Sequence, residues 1–258
     1  PCVASNPSTL SGWRRWLTRS RGLMESLPSG IQYRHWPVDD AKACVLLAHG
    51  LAEHTGRYEH VAERFNERGV AVVGPDHIGH GASPGARVYL NAFSEYLEPM
   101  QALRARIDEW YPGRPVFLMG HSMGGLIGAH LLLASQAAFQ GAMLSGPAFH
   151  AVDPAPAPLL WVGRVLKKVL PKLGMVSLDA NGVSRDPAVV ADYLADPLVY
   201  NGKITTGLGI EMLDAMEVAI ARAGEITLPI YIAHGEADVM AGPEGSQVFF
   251  DALGAQDK

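Results

Sequence analysis

The sequence has few cysteines and no excess of basic residues. Only Cys2 and Cys44 occur among 258 residues, which is too few for a disulfide framework. Cys44 lies in an apolar run, where we expect a buried free thiol, and the low cysteine content favours a reducing, cytoplasmic location. The formal net charge is −5, so the chain offers no basic field for a polyanion and we expect no nucleic-acid partner.

Residues 115–152 contain no Asp, Glu, Lys or Arg. A membrane-spanning helix needs about twenty consecutive apolar residues, whereas His121, His130 and Gly146 interrupt this segment. A buried strand, helix and strand fit the pattern better. Residues 1–23 lack the apolar region of about 7–15 residues that a secretory signal requires. We expect them to form an extension outside the fold.

Short apolar runs alternate with segments of helical periodicity along most of the chain. This βαβα order is typical of an α/β fold with a mostly parallel, doubly wound sheet that is covered on both faces. The predicted strands lie at 31–36, 43–48, 70–73, 116–119, 142–144 and 228–233, and the predicted helices lie at 58–65, 93–107, 126–133 and 210–220.

The alternation stops between residues 148 and 206, where a Pro-Ala run precedes segments that predict short helices. We therefore expect 148–206 to form an inserted cap, or lid, on a core built from 24–147 and 207–258.

One segment of the predicted cap is amphipathic and basic. Its apolar side chains share one helical face and its basic side chains point away from that face. The apolar residues are Leu159, Val162, Leu166 and Val169, and the basic residues are Arg164, Lys167 and Lys168. The segment is interpreted either as a cap helix packed on the domain beneath or as a lid that touches a lipid interface or lines an acyl tunnel, and the two interpretations are compatible.

The pattern Gly-x-Ser-x-Gly occupies residues 120–124, after a predicted apolar strand and before a Gly- and Leu-rich helix. In this context the pattern presents a serine hydroxyl on a strained strand-to-helix turn, so we predict that Ser122 is a nucleophile. The alternative is a glycine-rich connection without chemistry. The backbone N–H groups of Leu51, after a predicted strand, and of Met123 are predicted to form an oxyanion hole.

A carboxylate that orients a catalytic histidine should follow the nucleophile, in the loop after a later strand. Asp238 meets this condition, and Glu236 in the same loop is the alternative. No histidine follows Asp238. Because a serine without a general base is a poor nucleophile, with losses on the order of 10⁶ in rate, we expect the chain as given to be nearly inactive. His77 and His80 lack further ligands for a metal site, so we expect no metal.

Five motifs in order resemble the monoacylglycerol lipase and lysophospholipase group of serine α/β-hydrolases. They lie at 49–58, 76–83, 120–125, 196–198 and 234–238. The resemblance implies an α/β-hydrolase fold with Ser122 as nucleophile, Asp238 as triad acid, and the amides of Leu51 and Met123 as oxyanion donors. It also implies that the family's triad histidine, last strand and last helix are missing from this chain.

The resemblance further implies that Glu53, Arg57 and Tyr193 surround the polar glycerol end of a substrate. The alternatives are a surface ion pair between Glu53 and Arg57 and a packing role for Tyr193. The expected activity is hydrolysis of monoacylglycerol-like or other lipid esters through an acyl-enzyme, without cofactor. Two alternatives stay open: a lysophospholipase or aminopeptidase of the same fold, and a non-catalytic binding protein.

Overall fold

The computed structural model describes residues 22–151 and 156–258. Seven of the strands within these ranges form one sheet in the order β1-β2-β4-β3-β5-β6-β9. The strands are β1 (Leu23–Ser26), β2 (Gln32–Trp36), β3 (Ala43–Ala48), β4 (Val70–Pro75), β5 (Val116–His121), β6 (Gly141–Ser145), β7 (Gly174–Ser177), β8 (Lys203–Thr205) and β9 (Ile230–Ala233). The pairs from β4 to β9 are parallel and β2 is antiparallel to β1 and β4, so the predicted mostly parallel sheet is confirmed.

Helices cover both faces of this sheet. Alternate residues of its interior strands point to opposite sides, and both sides carry apolar residues that must be buried. On β3, Leu46 and Ala48 join the larger hydrophobic cluster, whereas Val45 and Leu47 join a second cluster with Trp36. The helices are α1 (Glu59–Asn66), α2 (Leu97–Trp110), α3 (Met123–Ser135), α4 (Ala157–Val169), α5 (Pro187–Ala195), α6 (Thr206–Arg222) and α7 (Pro243–Ala252).

The two central strands bring distant parts of the chain together. In the parallel register of β3 and β5, Ala48 lies opposite Gly120. The loop that follows β3 therefore meets the turn that follows β5 at the carboxyl edge of the sheet, where ligands bind in open α/β sheets.

Between β6 and α6 the chain forms α4, β7, α5 and β8, and β7 pairs antiparallel with β8. The sequence predicts short helices here but not this strand pair, which has too few residues to show a period. The Pro-Ala run begins at residues that lie outside the described ranges. The assignment of 148–206 as a cap stays a prediction.

The structure also contains β1 and α7, which the sequence analysis did not predict. Leu23 is the first residue of β1, and all but the last two residues of the expected extension over 1–23 lie outside the described residues. Cys44 is buried and free, as predicted. In the part of the chain that is described, no helix has the length and apolar character needed to cross a bilayer.

Candidate active site

Ser122 occupies a strained turn between β5 and α3. Its backbone has φ 53° and ψ −119°, a left-handed conformation that is costly for a residue with a side chain. Hydrogen bonds hold the turn: the Ser122 N–H donates to the carbonyl of Ser145 at 3.0 Å, and its own carbonyl accepts from the N–H of Ala148 at 3.0 Å. The serine is thereby fixed between the ends of β5 and β6.

Glycines beside Ser122 are required because backbone atoms approach them closely. A Cβ built on Gly124 would overlap the carbonyl oxygen of Ala48 and lie 2.6 Å from that of His49. A Cβ on Gly120 would lie 2.8 Å from the Cα of Gly125. The Gly-x-Ser-x-Gly pattern thus has a steric cause at each glycine.

The predicted oxyanion donors lie beside Ser122. Met123 is the first residue of α3, so its N–H has no partner within the helix. Leu51 lines both cavities that Ser122 lines. The preceding N–H, that of Gly50, is taken up by the Glu53 carboxylate at 2.7 Å. Within the described ranges, neither the Leu51 N–H nor the Met123 N–H donates to another residue, so both remain available for an oxyanion.

Asp238 has one carboxylate oxygen held by backbone amides and the other beside His234. Its Oδ1 accepts from the N–H groups of Met240 at 2.8 Å and Ala241 at 3.0 Å. Its Oδ2 lies 3.3 Å from Nε2 of His234, and Asp238 and Ser122 line the same cavity. Glu236, the alternative acid, is exposed and does not line it. The geometry favours Asp238 over Glu236.

All ten histidines lie within the described ranges, and none of them forms a hydrogen bond with the Ser122 hydroxyl there. His234 is bound to Ser246 and Ala241. His121 lines the cavity of Asp238; its Nδ1 lies 2.9 Å from the Ser145 carbonyl and so donates to it, which leaves Nε2 as an acceptor. His150 lines a second cavity with Ser122. Within the described residues, Ser122 and Asp238 therefore line one cavity, and no imidazole is hydrogen-bonded to the Ser122 hydroxyl.

The first cavity at Ser122 has a volume of about 160 Å³ and is lined by charged and hydroxyl side chains together with apolar ones; it is here called the polar cavity. Glu53, Arg57 and Tyr193 all line it. The Arg57 Nε donates to Glu53 at 3.1 Å, and the guanidinium lies over the Tyr193 ring at 4.7 Å. Both side chains of this ion pair are largely buried, so it is not an exposed surface pair. Burial, and then the Glu53 charge, raise the pKa of Tyr193, which keeps its hydroxyl a donor.

The Glu53 carboxylate is already occupied by partners from the protein. Besides Gly50 and Arg57, the Tyr58 hydroxyl donates to it at 2.6 Å. Burial, and then the charge of Glu53, raise the pKa of Tyr58 well above its ordinary value, so this hydroxyl stays protonated. Glu53 therefore fixes the turn that carries the Leu51 amide, in addition to lining the polar cavity.

The second cavity at Ser122 is apolar, with a volume of about 340 Å³. Its wall comes from α4, β7, β8, α6 and the segment after β9. Four of the nine methionines of the chain line it: Met175, Met212, Met216 and Met240. Because a methionine side chain is flexible and polarizable, such a wall adapts to apolar ligands. The α4 part of this wall agrees with one interpretation of its sequence, as the lining of an acyl tunnel. The other residues of the wall could not be predicted, because they come from segments far apart in the chain.

The remaining motifs stabilise the loops around the site. His54 accepts from the Gly56 N–H at 3.1 Å and donates through Nε2 to Asp196 at 2.8 Å, which links the loop after β3 to the loop after α5. Asp76 accepts from the N–H and hydroxyl of Thr55 and from the N–H of Ala82 at 2.9 Å. The carboxylates of Asp76 and Asp196 thus join three segments of the chain: the loop after β3, the loop after β4 and the loop after α5.

Three histidines are buried beneath these loops. His49 donates to the Gly50 carbonyl and accepts from the His77 N–H at 2.9 Å. Burial lowers the pKa of His80 to about 3 and that of His77 well below its ordinary value, so all three rings are held neutral at neutral pH. Among the residues that the structure describes, no group of three or more His, Cys, Asp or Glu is arranged to hold a metal ion.

Comparisons with known proteins agree with this geometry. A family model described as "Serine aminopeptidase, S33" matches residues 39–258. The chain is 39% identical to a monoacylglycerol lipase of Mycolicibacterium smegmatis, over 88% of this chain and 81% of that protein. It is 32% identical to the human monoglyceride lipase, over 87% and 75% of the two chains. The solved monoacylglycerol lipase of Paleococcus ferrophilus superposes with a TM-score of 0.80 and 32% identity, over 88% of this chain and 86% of that one.

Proposed function

Because the chain belongs to the serine aminopeptidase S33 family of α/β-hydrolases and is similar to monoacylglycerol lipases within its matches, we propose that it hydrolyses monoacylglycerols and similar lipid esters. One observation carries this proposal: Ser122 lies where an apolar cavity of about 340 Å³ meets a polar cavity of about 160 Å³. An ester with an apolar acyl chain and a small polar alcohol matches both cavities when its carbonyl lies at Ser122.

The reaction proceeds through an acyl-enzyme. The Ser122 hydroxyl attacks the ester carbonyl while a base takes its proton, and the Leu51 and Met123 amides stabilise the oxyanion. The tetrahedral intermediate expels the alcohol, which receives the proton, and water then releases the fatty acid. Asp238, with Oδ1 fixed by two amides, orients the base and stabilises its protonated form.

The base is the part of this reaction that no described side chain supplies at hydrogen-bond distance from Ser122. We therefore expect the 258 residues by themselves to turn over esters very slowly, on the order of 10⁶-fold below a complete triad. Imidazole added to the solution is small and basic, and it can enter the polar cavity between Asp238 and Ser122. We expect it to increase the rate.

The experiment compares three substrates in the presence of imidazole: a monoacylglycerol, a lysophospholipid and a prolyl anilide. The proposal expects hydrolysis of the monoacylglycerol above that of the other two, and loss of this activity in Ser122→Ala. A faster reaction with the prolyl anilide would favour an aminopeptidase. No Ser122-dependent hydrolysis of any of the three substrates would favour a binding protein. Rapid turnover without imidazole would indicate that a histidine lining the cavities, His121 or His150, serves as the base.

The exposed residues of α4 indicate that the substrate is taken from a membrane surface. Its apolar residues Leu159, Trp161, Val162, Val165 and Val169 form an exposed surface, here called the α4 apolar surface. Two of its three basic residues instead face α6: Arg164 binds Asp214 at 2.6 Å and Lys167 binds Glu211, whereas Lys168 is exposed. Since an apolar face turned to solvent marks a site of membrane or protein contact, we propose that the α4 apolar surface rests transiently on a lipid interface.

A further inference from the structure

One wall of the apolar cavity is a single face of α6. Gly209, Met212, Leu213 and Met216 all line the cavity, and their spacing of three, four and seven residues puts them on one side of a helix. The last three carry long side chains. Gly209 has none, so the wall recedes at this position.

A glycine in this position has no local explanation. It lies inside α6 (Thr206–Arg222), where glycine destabilises a helix relative to alanine. Gly209 is also not among the glycines with positive φ in the described residues. The backbone therefore does not require a glycine here.

Packing does not require this glycine either, in contrast to its neighbours. A Cβ on Gly207 would lie 3.0 Å from the Pro171 carbonyl oxygen and 3.0 Å from the Tyr89 ring. A Cβ on Gly163, which lines the same cavity, would lie 3.0 Å from Cδ1 of Ile210. A Cβ on Gly209 would meet no atom within 4 Å. Of these three, only Gly209 leaves space that the protein itself does not fill.

We propose that Gly209 sets the acyl-chain length that the apolar cavity accepts, by reserving space for the distal part of the chain. This inference rests on the proposed function, because it takes the occupant of the cavity to be an acyl chain. A side chain at position 209 would project from the α6 wall into the space that the chain occupies. Its effect is therefore specific for long chains, whereas short chains that end before this wall are unaffected.

The test measures binding and so does not depend on a complete catalytic triad. Binding of 1-O-alkylglycerols, the uncleavable ether analogues of monoacylglycerols, is measured by calorimetry below their micelle concentrations. In the unmodified protein, affinity is expected to rise about fourfold with each methylene until the cavity is full. In Gly209→Leu the affinity is expected to stop rising at an alkyl chain roughly four carbons shorter, because the leucine side chain adds four carbons to the cavity wall.

Gly209→Ala and Gly209→Val complete the series and carry the test if the leucine variant does not fold. They are expected to shorten the preferred chain by steps of about one and about three carbons. Val218→Leu introduces the same side chain at an exposed position of α6 outside the cavity and is the matched control, with an unchanged profile.

The outcomes separate this inference from the proposed function. If the unmodified protein binds no alkylglycerol, the proposed function fails and the inference fails with it. If the unmodified protein shows the length dependence but the Gly209 variants keep the same preferred length, or weaken all lengths equally, only the role of Gly209 is overturned. A preferred length that shortens in step with side-chain size supports it.

Discussion

At Ser122 a strained backbone is held by contacts on both sides of it. The positive φ of this residue is costly, and such strain persists only where the surroundings enforce it. Here the enforcement comes from the N–H and carbonyl bonds to Ser145 and Ala148 and from the close approach of Gly124 to the backbone after β3. The same contacts aim the hydroxyl at the meeting point of the two cavities.

Gly124→Ala is expected to damage both stability and the site. The added methyl overlaps the carbonyl of Ala48, and because a backbone atom cannot rotate away, we expect a loss of about 1–3 kcal/mol in the free energy of unfolding. Gly128→Ala on the same helix is the control: its methyl meets the side chain of Leu118 at 3.3 Å, which can move. Urea unfolding of the two variants checks this, and equal losses would contradict the steric explanation.

Asp238 rather than Glu236 is expected to support the imidazole-dependent rate. Asp238 lines the cavity of Ser122 and has Oδ1 held by two amides, whereas Glu236 lies exposed in the same loop. Asp238→Ala should therefore lower the Ser122-dependent rate in imidazole by roughly 10²-fold, and Glu236→Ala should leave it nearly unchanged. Comparable losses in both variants, measured as initial rates, would argue against a triad role for Asp238.

At the scale of elements, α4 exposes apolar side chains and directs two of its basic side chains toward α6. Arg164 and Lys167 bind carboxylates of α6. Most of the apolar stripe of α4, interpreted from sequence as either core-facing or lipid-facing, is exposed. Trp161 is 67% exposed and Val169 69%. Only contacts between elements reveal this orientation, because the amphipathic pattern itself is the same whichever side faces the core.

Trp161→Ser is expected to weaken binding of the protein to phospholipid vesicles. Removing this large exposed ring from the α4 apolar surface should lower the partition coefficient about tenfold. Tyr231→Ser on β9 is a matched control, because Tyr231 is an aromatic residue with the same exposed fraction of 67%. Vesicle flotation measures both variants. Equal binding by Trp161→Ser and the unmodified protein would remove α4 as the contact.

Across the whole molecule, the elements predicted correctly are those whose own residues carry the signal. The strand at 43–48 is apolar because both of its faces are buried, and it was predicted with the bounds that β3 has. In contrast, β1 (Leu23–Ser26) is exposed along its length and pairs only with β2, so no apolar pattern marks it. The short β7 and β8 are defined by their pairing with each other.

The candidate site likewise combines features that adjacent residues of the sequence indicate with features that only the folded chain brings together. Ser122 could be predicted because the glycines that its turn needs are adjacent in sequence. The complete lining of the apolar cavity could not, because it is formed by tertiary packing of segments as distant as Leu51, Met175 and Met240. Glu53 shows an intermediate case: the family resemblance implied a place for it at the polar end of a substrate, but its bond to Gly50 depends on how the loop folds.

The buried histidines make the fold sensitive to acid. The unfolded chain takes up protons on histidine below about pH 6.5, whereas burial, followed by the charges of His49 and His80, keeps the pKa of His77 well below that value in the folded state. Stability is therefore fully present above pH 6.5. It is lost as the pH falls toward the folded-state pKa values, such as about 3 for His80, at about 1.4 kcal/mol per pH unit for each such histidine.

His77→Phe is expected to reduce this acid sensitivity. Both ring nitrogens of His77 are buried without a hydrogen-bond partner among the described residues, so phenylalanine keeps the ring without losing a bond, while the His77 N–H still donates to His49. Between pH 7.5 and 4.5 the variant should gain about 2–3 kcal/mol over the unmodified protein in the free energy of unfolding. Urea titrations across this range measure the gain, with the exposed His60→Phe as control. A difference that stays constant with pH would mean that His77 takes up no extra proton on unfolding, and that another buried group sets the acid limit of the fold.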